Sequence, residues 1–151
     1  MCSITELTEL YGFVKYSDVE VIDNQLILPK LTNRLNVLYA IAVNGEVMYI
    51  GQTVNLRKRI NYYRTSINRQ TPTADTRKSR QIHAEIEKGN QVTFYFRQCF
   101  ELQVHNPTGK DTVSTADIEE PVLINRFKPV WNTVYKNKHK PKRYDVSEVA
   151  N

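Results

Sequence analysis

The sequence predicts an α+β fold in which antiparallel hairpins alternate with amphipathic helices, all within one domain. Three local signals carry that expectation. Residues 37–43 and 46–51 are apolar runs flanking Asn44-Gly45, a pair suited to the positive φ angles of a type I′ hairpin turn. Leu56, Ile60, Tyr63 and Ile67 recur at helical spacing. Between Gln91 and Phe100, Val92, Phe94 and Phe96 alternate with Thr93, Tyr95 and Arg97, the pattern of a half-buried strand.

The remaining elements follow in order. Residues 18–28 read as a short hairpin turning near Asp23-Asn24. After the hairpin at 37–51, a helix over about 55–68 would lay its apolar stripe on the sheet. Several of its arginines and Lys58 would then point outward or toward a cleft. Residues 70–76 form a turn, and Asp75 or Thr76 is placed to N-cap a second helix over 77–88, closed by Gly89. Asn106-Pro107-Thr108-Gly109 marks a loop. Ser114 or Thr115 caps a third helix reaching about Phe127, with Pro121 tolerable only near the first turn. Past Pro129 the chain is expected to be extended, and 136–151 to be a mobile basic tail.

Composition narrows the function. The 151 residues, 40% hydrophobic and 25% charged, have room for one core. The longest apolar run, 37–43, is far below the ~18 residues that suggest a membrane span. Glu6 and Glu9 stand where a signal peptide would need a basic and then apolar pattern. Cys2 and Cys99 cannot build a disulfide framework, so a cytoplasmic setting is expected. The 21 basic and 16 acidic side chains leave +5 at pH 7, unevenly distributed. Residues 57–80 carry +7 and the tail 136–151 carries +3, while 1–56 and 81–135 are net negative at −3 and −2. Concentrated positive charge is what a phosphate backbone recognises.

Tyrosine is over-represented, with nine residues. Tyr39 and Tyr49 lie on consecutive hairpin strands; whether they share a face depends on twist or a bulge. Gly51 ends the second strand and permits close approach of backbone or phosphate. Arg59 and Tyr63, four apart, lie on one helix face. Glu119 is on the third helix and Asn132 follows thirteen residues later. Singly, each has an ordinary explanation as a packing tyrosine, a solvated arginine or a helix-terminal acid.

Taken together, Val37-Leu38-Tyr39, Tyr49-Ile50-Gly51, Arg59, Glu119 and Trp131-Asn132 resemble the GIY-YIG nuclease superfamily in order and spacing. The motifs span 37–132, about two thirds of the chain. The runs at 13–16, 55–64 and 97–100 are similar to a bacteriophage branch of that superfamily. The resemblance implies a small three-stranded central sheet flanked by helices, here with an N-terminal extension and hairpin (1–34) and a helical insertion (65–90) within a single domain, 1–135. The first motif keeps only its tyrosine. Many relatives have lysine at the position of Gln52, which supplies only a neutral hydrogen bond, and some have histidine at the position of Tyr63.

The function implied is Mg²⁺-dependent hydrolysis of double-stranded DNA, with Mn²⁺ as a substitute, by a homo-oligomer of two or four subunits. For the phage branch it implies attack on unmodified host DNA in the infected cell. One carboxylate, Glu119, would hold the metal. Arg59 would donate to phosphate oxygens. Tyr39 would take the proton from water, its pKa lowered by Arg59 and the metal, with Tyr49 as the alternative base. Tyr49 and Tyr63 would position water and phosphate, and Asn132 would organise the site. Gly51, Gln52, Arg57, Lys58, Arg64, Arg77, Lys78 and Arg80 are the candidate DNA contacts. The competing expectation is a catalytically silent DNA-binding module of the same fold.

Overall fold

The hairpin at Asn44-Gly45 forms as the sequence dictates, with both turn residues at positive φ, 49° and 82°. It joins β3 (Leu35–Val43) to β4 (Glu46–Asn55). In this computed structural model the described residues are 2–134 without 30, 68, 69 and 72; Arg69 and the basic tail, 136–151, lie outside them. The N-terminal hairpin, β1 (Val14–Ile22) and β2 (Gln25–Ile27), turns at Asp23-Asn24 as expected, again with both φ angles positive.

The sheet has five strands rather than the three expected, in the order β2-β1-β5-β3-β4. β5 (Val92–Gln98) pairs antiparallel with β3 on one side and β1 on the other. The N-terminal hairpin is therefore part of the sheet and not an appendage. That pairing joins residues about 75 positions apart, such as Val19 with Val92, and no local pattern encodes it.

Three helices pack on the sheet at positions near those expected. α2 (Leu56–Ser66) is capped by the Asn55 side chain, which accepts from the Lys58 N–H. α3 (Ala74–Glu87) begins earlier than predicted. Thr73 is its N-cap in a reciprocal capping box with Thr76, so Asp75 lies in the first turn instead of capping it. α4 (Ala116–Phe127) encloses Pro121. Two features were not foreseen. α1 (Ile4–Tyr11) runs between Ser3 and a left-handed Gly12. The segment read as a loop at 106–109 is the tip of an exposed ribbon, β6 (Glu101–Asn106) paired with β7 (Gly109–Ser114).

β3 explains the two-sided architecture. Residues 37–43 are all buried, because alternate side chains enter separate cores. Val37, Tyr39 and Ile41 join Phe94, Leu56, Ile60, Tyr63 and Ile82 beneath α2 and α3. Leu38 and Ala40 join Ile50, Leu7, Phe13, Leu123 and Ile124 beneath α1 and α4. Each fully buried Leu, Ile or Phe contributes roughly 1.5–3 kcal/mol.

The chain after α4 returns along the free edge of β4. Trp131 donates its N–H to the Met48 carbonyl at 2.8 Å. The buried Asn132 amide accepts from the Ile50 N–H and donates to the Ile50 carbonyl, both at 2.9 Å. Asn132→Ala leaves both backbone groups unpaired and should cost about 2–4 kcal/mol. The denaturant midpoint measures this, and an unchanged midpoint would show that the pair contributes nothing.

Candidate active site

An irregularity in the hairpin assembles the tyrosines. Simple pairing about Asn44-Gly45 sets Tyr39 near Ile50, which would leave Tyr49 on the opposite face. The register instead shifts between Ile41 and Ala42: Ala42 faces Val47, Ile41 faces Tyr49, and Tyr39 faces Gly51. Met48 is the extra residue of a β-bulge. Beyond it, Tyr39 and Tyr49 share the α2 face, with ring centroids 5.9 Å apart.

Tyr63 enters from α2, and its hydroxyl lies 2.5 Å from that of Tyr39. Both rings also pack on Phe94. Tyr39 and Tyr63 are almost wholly buried, whereas Tyr49 remains partly open. Burial holds all three hydroxyls above their ordinary pKa, Tyr39 most clearly. This reverses the expected lowering of Tyr39. Arg59 does favour its phenolate, but loss of hydration outweighs that attraction. For Tyr49 the second cause is the negative charge of Glu120.

Gly51 shows why this close packing needs glycine. A Cβ there would stand 2.8–2.9 Å from the outer ring atoms and hydroxyl of Tyr39. That ring packs against Tyr49, Tyr63 and Phe94, so an added methyl group must push its hydroxyl end out of place.

The carboxylate at the cluster is not the one expected. Glu119 turns toward β5, where it pairs with Arg97 and accepts from the Thr115 hydroxyl at 2.7 Å. Glu120, one residue and about 100° further round the helix, faces β4. It is hydrogen-bonded by Gln52 and lies in the fields of Tyr49 and Arg59. Burial raises its pKa, and Asp117 adds to the rise. Asp117 itself accepts from Gln52 at 2.9 Å.

Arg59 is part-buried, with Nη1 held by both carboxylate oxygens of Asp75 at 3.3 and 3.4 Å. Lys78, also on α3, lies over the Tyr49 ring at 4.4 Å. Burial lowers its pKa, and neighbouring Arg77 and Arg59 contribute. α3 therefore reaches the cluster itself.

The other expected basic contacts divide. Arg57 and Arg64 line a separate cavity across α2, with Tyr16, Leu28 and Asn61. Lys58 lies near the exposed Tyr62 ring, and Arg80 faces a recess with His83 and Glu87. Arg77 is exposed on α3. Asn132 sits at the β4 edge, where its side-chain amide is a partner of the Ile50 backbone. Sequence reasoning missed Glu120 and Asp75. The adjacent pair Glu119-Glu120 held the first in view, and helix geometry distinguishes them only once α4 is docked.

Comparison with known proteins supplies the class, that of an endonuclease. The chain belongs to the endonuclease II family, being 50% identical over 137 residues to Endonuclease II of Enterobacteria phage T4, with 88% of this chain and 98% of that protein covered. The solved structure of bacteriophage T4 EndoII, a glutamate-to-alanine mutant, is 47% identical, with a TM-score of 0.81 over 87% of this chain and 99% of that one. The restriction endonuclease HPY188I in complex with product DNA shares the fold at 12% identity, with a TM-score of 0.52 and coverage of 83% and 84%. No family model matches the chain.

Gly51→Ala should leave the chain folded while displacing the Tyr39 hydroxyl. The expected result is a rate at least ~10-fold lower, since small misplacements of positioned groups carry large kinetic penalties. Plasmid nicking compared with the circular dichroism melt checks this; retained activity would mean that Tyr39 tolerates displacement.

Proposed function

We propose that this chain is a phage-encoded DNA endonuclease of the GIY-YIG type that hydrolyses phosphodiester bonds with Mg²⁺. The observation that carries the reading is the bulge-built cluster, in which three tyrosines, Arg59 and the part-buried Glu120 converge on one edge of the sheet. We take the described elements as one nuclease domain, with the hairpin built into its sheet and α3 as its insertion. Unmodified host DNA is the proposed substrate and the host cytoplasm the proposed setting. Cutting both strands would require a homo-oligomer, because one such site cuts one strand.

Each side chain then has a task. Arg59 donates to non-bridging phosphate oxygens and holds the charge that grows there. Tyr49, the most accessible hydroxyl, accepts a proton from the attacking water. Tyr39 hydrogen-bonds Tyr49. Tyr39 also shares a hydrogen bond with the Tyr63 hydroxyl, so the three hydroxyls form one network that steadies the Tyr49 oxygen. Lys78 above the ring favours the same anion and can reach phosphate. Gly51 leaves space for the hydroxyl cluster.

The residues present fit a single Mg²⁺, with Mn²⁺ as a substitute. Glu120 is a part-buried carboxylate whose charge is incompletely compensated, and that same charge raises Tyr49. A cation at Glu120 relieves both. Among the described residues there is no cluster of three or more acidic, histidine or cysteine ligands. Glu120 would therefore hold the ion with water and the scissile phosphate. When bound, Mg²⁺ supplies Lewis-acid stabilisation of the phosphate and the leaving oxygen. Arg57, Lys58, Arg64, Arg77 and Arg80 supply backbone contacts away from the cut, and Gln52 orients Glu120.

Glu120→Gln should abolish Mg²⁺-dependent plasmid nicking by ~10²-fold or more, whereas Glu119→Gln should keep most activity and lose some thermal stability. The opposite ranking would return the role to Glu119; binding without cutting in the parent would mark a silent module. The rate should rise with pH through the alkaline range, because Tyr49 is held above its ordinary value. It should fall on acidification above the usual carboxylate range, where Glu120 takes up a proton. A pH-independent rate would remove Tyr49 as the base.

A further inference from the structure

We infer that Asp75 is a positioning residue for Arg59, so that the inserted helix α3 is part of the nuclease machinery. The inference rests on the reading of Arg59 as the phosphate donor.

Asp75 is the second residue of α3 and its carboxylate meets one nitrogen of Arg59, Nη1, with both oxygens. The pair is neither fully solvated nor fully buried, at 32% and 29% side-chain exposure. The Arg59 Nε is buried without a hydrogen-bond partner among the described residues. A guanidinium is a rigid fork. With Nη1 held by Asp75 and Nε buried, the fork is fixed in direction and Nη2 is the nitrogen left to donate to a phosphate.

The mounting is firm. The Thr73–Thr76 capping box fixes the start of α3. One turn beyond Asp75, the buried Ser79 hydroxyl donates to the Tyr63 carbonyl on α2 and lies 3.2 Å from the Ser66 hydroxyl. Asp75 is thereby held at a set height against Arg59. Lys78, on the same helix, reaches the Tyr49 ring, so α3 touches two separate members of the cluster.

Two other roles make different predictions. As a first-turn acid, Asp75 also complements the α3 dipole, a purely structural function that another acid in that turn can replace. As a phosphate mimic, it would compete with DNA for Arg59, and its removal would strengthen binding.

Nicking kinetics with Mg²⁺ on the full chain separate these roles. Asp75→Asn should lower kcat ~10-fold or more with KM changed less than ~3-fold, the signature of a lost transition-state alignment. Adding Ala74→Asp, at an exposed position in the same turn, should recover the melting temperature but not kcat. In an Arg59→Lys background, Asp75→Asn should cost little more, because the two residues act as a unit. The proposal is overturned by parental or higher kcat in Asp75→Asn, by recovery of kcat with Ala74→Asp, or by additive losses. Parental activity in both Arg59→Lys and Arg59→Ala would sink the phosphate-donor reading itself.

Discussion

The site depends on a register shift of one residue in the β3–β4 hairpin. A strand alternates its side chains with period two, so the extra residue at Met48 reverses which face every following β4 residue occupies relative to the turn. Without it, Tyr49 would lie under α4 while Tyr39 lay under α2. With it, both rings occupy one face beside Gly51, and Tyr63 completes the group from α2. The bulge also fixes where Met48 and Ile50 present backbone groups to the returning chain.

Burial and charge act against each other throughout this cluster. Dehydration pushes the tyrosines and Glu120 toward their neutral forms, while Arg59 favours the charged ones. Lys78 experiences the same dehydration with opposite sign. In the free protein the neutral hydroxyls therefore dominate, and the proposed chemistry waits on charges that arrive with the substrate and the metal.

Much of the fold was legible because its signals are local. The Asn44-Gly45 turn, the Leu56–Ile60–Tyr63 stripe and the alternation at 92–97 each specify structure within a few residues. The five-stranded sheet was not legible, since β1 and β5 meet across some 75 residues. α1 is only eight residues long, and the β6–β7 ribbon has no buried face to write a pattern. At the site, Tyr39, Tyr49, Arg59 and Tyr63 stood out only through their joint resemblance to the superfamily in order and spacing, since each alone has an ordinary explanation. The choice between Glu119 and Glu120 was not, because adjacent residues on a helix differ by a rotation that only docking resolves. Nor could spacing reveal the direction of the Tyr39 shift, which follows from complete burial.

The return of residues 131–132 along β4 has a consequence outside catalysis. β4 is the outermost strand on its side of the sheet, and an outermost strand offers ready hydrogen-bonding sites to any passing β-segment. Trp131 and Asn132 occupy the groups of Met48 and Ile50 that such a segment would use. The asparagine amide, presenting one N–H and its oxygen to Ile50, imitates a peptide unit without adding a strand. It gives the sheet a non-sticky border, and so protects a tyrosine-rich, positively charged protein from stacking edge to edge at the concentrations of a crowded cell.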